Sequence, residues 1–332
     1  MNTKRKMVCV VVFFLLSTIG KAQDIHFSSI NANPMFINPA TTGFMSQMFR
    51  ISTIYRNQWS SVSDGYNTFL TSVEYKPFVS YKDRYGIGVG IDFVNDIAGT
   101  LSYGERDISA SMSFFFALDR EKKYYLSLGL KAQRRNYGYD MKNADFSQDE
   151  NNNEVVLLEN LNVFNLSGGL FWQYTPQENT SLQIGFSCFN INQPSLSFFK
   201  NTDIILHRRY VLSSSFVFSC NDKLSLRPQA FYQNQYKNNE IILGSDLIVN
   251  LSDAVFTTQN ISVGMYYRNN DAIIISSKYK YNNFLAGLSY DINLSKLNKV
   301  SHTYGGVELW LSYAFSPISS KRINTKIPCP TF

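Results

Sequence analysis

The stretch Ser80-Tyr-Lys-Asp-Arg-Tyr85-Gly-Ile-Gly-Val-Gly90-Ile-Asp-Phe-Val-Asn95 decides the fold class. From Tyr85 onward, Tyr85, Ile87, Val89, Ile91 and Phe93 alternate with Gly86, Gly88, Gly90 and Asp92. A period of two places one apolar row on one face and a small or polar row on the other, which is a β-strand half exposed to an apolar medium. The pattern recurs downstream: Ile108, Ala110, Met112, Phe114 and Phe116 alternate with Asp107, Ser109, Ser111 and Ser113. Leu126, Leu128, Leu130 and Ala132 do so with Ser127, Gly129, Lys131 and Gln133. Near the end, Val307, Leu309, Leu311, Tyr313 and Phe315 alternate with Gly306, Glu308 and Ser312.

About fourteen such runs are legible, near 48–57, 67–76, 84–95, 105–118, 124–136, 162–174, 180–191, 208–220, 224–236, 239–251, 260–268, 272–281, 284–293 and 305–315. Most have the roughly 9–11 residues that a tilted strand needs to cross a bilayer. Short polar connections follow the even-numbered runs, at 119–123, 175–179, 221–223 and 282–283. The long ones follow odd-numbered runs, near 137–161, 192–207 and 294–304, with shorter ones near 58–66 and 96–104. Short turns at one end and long loops at the other, with an even strand count, are the pattern of a transmembrane antiparallel β-barrel. A soluble β-sandwich also alternates, but it does not explain Asp92, Lys131, Arg135 and Asp246 on the second face of long strands. Facing those residues to lipid would cost about 2–4 kcal/mol for each Arg or Lys near the midplane. Tyr55, Tyr85, Tyr174, Tyr290, Tyr313 and Phe315, near run ends, suit interfacial girdles.

The composition agrees. Of 332 residues, 15% are aromatic and 17% charged, and the mean hydropathy is −0.17, which excludes a bundle of apolar helices. The N-terminus reads as an export signal: Lys4, Arg5 and Lys6, an apolar core from Met7 to Ile19, then Gly20-Lys21-Ala22. Cleavage before Gln23 is expected, giving a signal peptide over 1–22, an N-terminal periplasmic or plug segment over 23–47, the barrel over 48–315 and a periplasmic tail over 316–332. The formal charge is +6, and removal of the four cations in the first 22 residues leaves about +2. No basic run with interleaved aromatics supports nucleic-acid binding. Cys188, Cys220 and Cys329 remain, an odd number without CxxC spacing, and only three histidines occur, so neither a disulfide framework nor a metal site is expected. Cys188 and Cys220 fall near opposite ends of adjacent runs, too far apart to bond. No cofactor motif is found.

Two stretches carry a resemblance. Gln23-Asp24-Ile25-His26-Phe27-Ser28 with Asn33-Pro34-Met35-Phe36-Ile37-Asn38-Pro39-Ala40-Thr41-Thr42-Gly43, and Tyr55-Arg56-Asn57-Gln58-Trp59, are similar to the opening of the PorP/SprF family. Gly86–Gly90 with Asn95-Asp96 and Gly99, Tyr290–Ser295, Gly305–Leu309 and Pro328-Cys329-Pro330 resemble the same family further on. Thr41-Thr42 departs from it, where Tyr-Ala or similar is expected. The resemblance implies an outer-membrane protein of Bacteroidetes-type bacteria, associated with type IX secretion and gliding. Its implied partners are secretion components and a secreted surface protein or that protein's C-terminal domain.

The candidate partner-binding residues are Asn33, Pro34, Asn38, Pro39, Gly43, Arg56, Trp59 and Cys329. Two readings of the Asn-Pro segment stay open: a lead-in packed in or under the barrel, and a docking element. Arg56 is expected to face the lumen and pair with an acidic lumen residue such as Glu308, because the first and last strands meet on closure. Trp59 reads as an interface anchor, and Cys329 as a free thiol or a site of mixed disulfide formation. The function expected is non-enzymatic assistance of export or surface anchoring. The alternative is a channel or transporter for small solutes. A surface hydrolase using His207 or His302 beside loop serines has weaker support, since no GxSxG pattern accompanies them.

Overall fold

In this computed structural model the alternation from Tyr85 onward forms one stave of a closed barrel. The structure describes residues 25, 27–58, 65–80, 82–98, 103–138, 160–177, 179–197, 204–251, 258–295 and 304–317. The strands are β1 (Phe49–Gln58), β2 (Tyr66–Val79), β3 (Tyr85–Ala98), β4 (Tyr103–Ala117), β5 (Tyr124–Gly138), β6 (Asn160–Gln177) and β7 (Thr180–Phe189). They continue with β8 (Arg209–Ser219), β9 (Leu224–Gln235), β10 (Asn238–Asn250), β11 (Gln259–Arg268), β12 (Ala272–Tyr281), β13 (Phe284–Asn293) and β14 (Tyr304–Phe315). Each pairs antiparallel with its sequence neighbours, and β1 pairs with β14, from Phe49 opposite Phe315 to Gln58 opposite Gly306. The fourteen-stranded antiparallel barrel expected from periodicity is what forms.

Closure follows from having no other way to satisfy strand edges in lipid. Two irregularities fall at prolines: the β2–β3 register shifts between Tyr75 and Phe78, around Pro77, and β6–β7 shifts between Tyr174 and Gln177, around Pro176. Proline donates no ladder hydrogen bond, so the strand bulges there.

The two ends differ. The end carrying Phe49 and Phe315 has no connection longer than eight residues, and we call it the turn end; the other, which has the longest connections, is the loop end. In one short turn Asp119 accepts the N–H groups of Lys123 and Tyr124 at 3.2 and 3.1 Å. Its slight burial pushes the carboxyl up, but these N–H groups outweigh that and hold it below the usual carboxylate range. Stacked rings rim the outer surface at the turn end: Phe49 with Tyr75 and Phe315, and Tyr124 with Tyr174.

Ile91, Leu130 and Met265 face outward and are well exposed, whereas Asp92, Lys131 and Asp246 face inward and are buried. The orientation read from the sequence therefore holds. The inner face is not uniformly polar, however. Ile54, Leu70, Val94 and Trp310 cluster inside with Phe27 and Ala32. Phe115, Tyr125 and Phe171 cluster with Ala40 and Phe44. A third cluster, including Phe189, Val211, Phe231 and Ile242, packs against Ile30 and Ile37. The chain ahead of β1 supplies the filling.

Candidate functional site: an N-terminal plug seated in the lumen

Residues 27–48 occupy the interior of the barrel as irregular chain with two single turns, α1 (Pro34–Ile37) and a 3-10 turn (Pro39–Thr41). The two Asn-Pro steps build both. Proline presets φ at the first position of a turn, where its missing N–H costs nothing. The preceding asparagine then caps: Asn33 Oδ1 accepts the Phe36 N–H at 3.2 Å, and Asn38 Oδ1 accepts the Ala40 N–H at 2.9 Å. The remaining amide of each asparagine ties its turn to the wall. Asn33 Nδ2 donates to Ser72 Oγ at 2.8 Å, and Asn38 Nδ2 donates to the Leu170 carbonyl at 2.8 Å.

The Gly/Ser row seen in the sequence is the seat of this plug. A Cβ at Gly88 would collide with the Thr42 carbonyl, one at Gly129 with the Ala40 backbone, and one at Gly169 with Asn38. Nearby wall serines donate to plug carbonyls: Ser113 to Thr42, Ser127 to Ala40 at 2.6 Å and Ser187 to Ile37 at 2.8 Å. Gly43 turns the chain at φ +64°, a conformation that favours glycine, and its approach to Gly88 leaves no room for a side chain.

Two charged anchors hold the plug. Glu308 accepts the N–H groups of Ser28 and Ser29 at 2.8 and 2.9 Å. Ser28 Oγ donates to Asp291 at 2.7 Å and accepts from Arg56 and Arg268, each at 2.7 Å. Arg56 also bridges Glu308 at 3.3 Å and Asp291 at 3.2 Å. The second anchor is Glu74, which accepts the Gly43 N–H at 2.8 Å and pairs with Arg50 at 2.7 Å. Beside it, Lys76 Nζ donates to the Met45 and Ser46 carbonyls at 2.6 and 3.0 Å. Two further wall pairs lie beside the plug: Asp246 binds Arg227 at 2.6 Å and Lys278 at 2.7 Å, and Lys131, over the Phe36 ring, binds Asp92 at 2.8 Å. Buried charges are tolerable only when compensated in this way.

Of the sequence-predicted residues, Asn33, Pro34, Asn38, Pro39 and Gly43 lie together in the plug, and Arg56 projects from β1 to its Ser28 anchor. The Arg56–Glu308 pair forms across the β1–β14 seam as expected. Trp59 and Cys329 lie outside the described residues, as do the proposed signal peptide, His26 and His302. Cys188 and Cys220 are both free. His207 stacks on Tyr236 at 4.1 Å. Among the described residues no cluster of His, Cys, Asp or Glu is arranged to hold a metal. Sequence reading missed Ser28, Asp291 as its partner, and the inward apolar positions. Local doubling of apolar residues, as in Phe114-Phe115-Phe116 and Leu309-Trp310-Leu311, was the available signal for the last of these.

Two cavities between plug and wall measure about 20 and 50 Å³, room for one or a few waters. The molecule is thus a closed β-barrel of membrane type whose lumen holds its own N-terminal segment. Residues 19–313 match the family described as type IX secretion system membrane protein PorP/SprF, and the chain belongs to that family. No curated protein matches. The barrel is similar to two solved structures, a toluene transporter of Ralstonia pickettii named TbuX and one of P. putida named TodX. Their identities are 12% and 9% and their TM-scores 0.50 and 0.51; each match covers 86% of this chain and 94% of the other.

Proposed function

We propose that this protein is a non-enzymatic outer-membrane barrel that assists export or surface anchoring of a secreted protein by the type IX route. In this reading the loop end faces the exterior and the turn end the periplasm; residues 1–22 are removed on export. The observation that carries it is the seated plug. With residues 27–48 bonded to the wall and the cavities between them about water-sized among the described residues, the working surfaces are the two ends rather than the lumen. That weighs against the alternative, a channel for small solutes. Asn33, Pro34, Asn38, Pro39, Gly43 and Arg56 then serve a partner indirectly, by fixing the plug and the shape of the barrel mouth. Direct contact falls to the segment around Trp59 on the loop side and to the tail over 316–332 with Cys329 on the periplasmic side. Deleting the gene and measuring surface display of type IX cargo tests the proposal. Loss of display of at least one cargo is expected, and unchanged display of every cargo would reject it.

A further inference from the structure

The outward-facing surface of the strands carries only two charges among the described residues, Arg106 on β4 and Arg134 on β5. They are neighbours. Arg106 stands opposite Asn136 and Arg134 opposite Ile108, so the two arginines occupy diagonal positions on one face, about 7–8 Å apart. Neither forms a salt bridge with any described residue. Among the described residues their partners are neutral: Arg106 Nε donates to Asn95 at 3.3 Å, and Arg134 donates to Asn162 at 3.2 Å, where Asn136 also donates at 3.3 Å.

Their height on the barrel is defined by the rows beneath them. On β3 the outward row reads Tyr85, Ile87, Val89, Ile91, Phe93 and then Asn95. On β4 it reads Phe116, Phe114, Met112, Ala110, Ile108 and then Arg106. On β5 it reads Tyr124, Leu126, Leu128, Leu130, Ala132 and then Arg134; on β6, Tyr174 to Phe164 and then Asn162. Each apolar row spans nine to eleven residues, roughly 27–33 Å along a strand and about 20–25 Å once tilt is allowed for, close to the height of the hydrocarbon band. The arginines and asparagines therefore mark its upper border on one sector, β3 to β6, at the loop end. The same strands meet the opposite border with aromatic rings, Tyr85, Phe116, Tyr124 and Tyr174.

Two like charges on diagonal positions repel, and guanidinium groups at a lipid border pair best with a doubly accepting oxyanion such as phosphate. Resting on the proposed orientation with the loop end outside, we infer that Arg106 and Arg134, framed by Asn95, Asn136 and Asn162, bind the phosphorylated sugar headgroup of a glycolipid of the outer leaflet, with the apolar rows below receiving its acyl chains. Lipid is the source of the phosphate because the site opens sideways onto the hydrocarbon surface rather than into a pocket. The asparagines supply the amide contacts that sugar hydroxyls take.

The full-length protein in nonionic detergent, titrated with phosphorylated lipid A and followed by native mass spectrometry, tests this. Parallel titrations use dephosphorylated lipid A and inorganic phosphate. The wild type should bind phosphorylated lipid A, and R106Q/R134Q should bind it about thirtyfold more weakly, on the order of fivefold for each arginine. Dephosphorylated lipid A should bind both proteins equally and weakly, and equimolar inorganic phosphate should not displace the lipid. Raising salt should weaken binding to the wild type alone, a readout that does not depend on the variant's folding. Equal binding of phosphorylated lipid A to both proteins, or salt-insensitive binding to the wild type, would overturn the inference. Displacement by equimolar phosphate would overturn it too, by showing a site for free anion.

Discussion

Ser28 meets four partners in the barrel interior: its hydroxyl joins Asp291, Arg56 and Arg268, and its N–H reaches Glu308. S28A leaves the charged groups in place without the hydroxyl that sits between them. It should cost about 1–3 kcal/mol in urea unfolding of the detergent-solubilised barrel. Ser277→Ala, on an outward exposed position, should change stability by less than about 0.5 kcal/mol. Equal effects of the two would contradict the anchoring role. At Gly129 the relevant quantity is space rather than charge. Gly129→Val should cost about 1–3 kcal/mol by overpacking, because its side chain would meet the Ala40 backbone. It should also speed protease cleavage within residues 27–48. Of these residue-scale features the sequence disclosed the Arg56–Glu308 pair, since closure of an even-stranded barrel brings β1 beside β14. It could not disclose Ser28, because no periodicity reports which wall group an irregular chain will meet.

At the scale of the strand, the side-chain period of two carries nearly all the information. Strand limits read from alternation fall within a few residues of those observed, because a lipid face tolerates few polar residues and every lapse is visible. Leu130, mid-strand and well exposed, faces lipid, and Lys131 beside it faces Asp92. L130R should therefore cost about 2–4 kcal/mol in folding into lipid vesicles, and R134L, at the border of the apolar band, about 0–1 kcal/mol in magnitude. Similar costs at both positions would mean that the band is misplaced. The turn at Asp119 makes a pH prediction. Its carboxyl is held below the usual range in the folded chain, so its stabilising contribution is present above the ordinary carboxylate pKa and is lost as pH falls through the lowered value. Asp119→Asn should remove that dependence in acid titrations of stability. The apolar inner clusters were harder to read. Inward Leu70 and Ile242 belong to a face otherwise fit for a wet lumen, and their meaning depends on a segment far away in sequence that fills it.

For the whole molecule, a barrel of fourteen strands has room inside for more than side chains, and here the chain itself takes that room. Two Asn-capped single turns, a Gly/Ser seat and two charged anchors hold residues 27–48 in place. The sequence showed two Asn-Pro steps before the first strand but left open whether they lie within the barrel or below it. Local capping chemistry is the same in either location, so only the tertiary structure could place them. Shape alone also says little about transport: the toluene transporters share the barrel architecture at 9–12% identity, and one fold hosts unrelated functions.

The occupied lumen is the central claim, and reconstitution of the full-length protein into planar bilayers tests it most directly. Insertion of wild-type protein should produce no steady current above that of the lipid alone. A stable open-pore conductance from most inserted molecules would show a continuous water path through the barrel and contradict a seated plug.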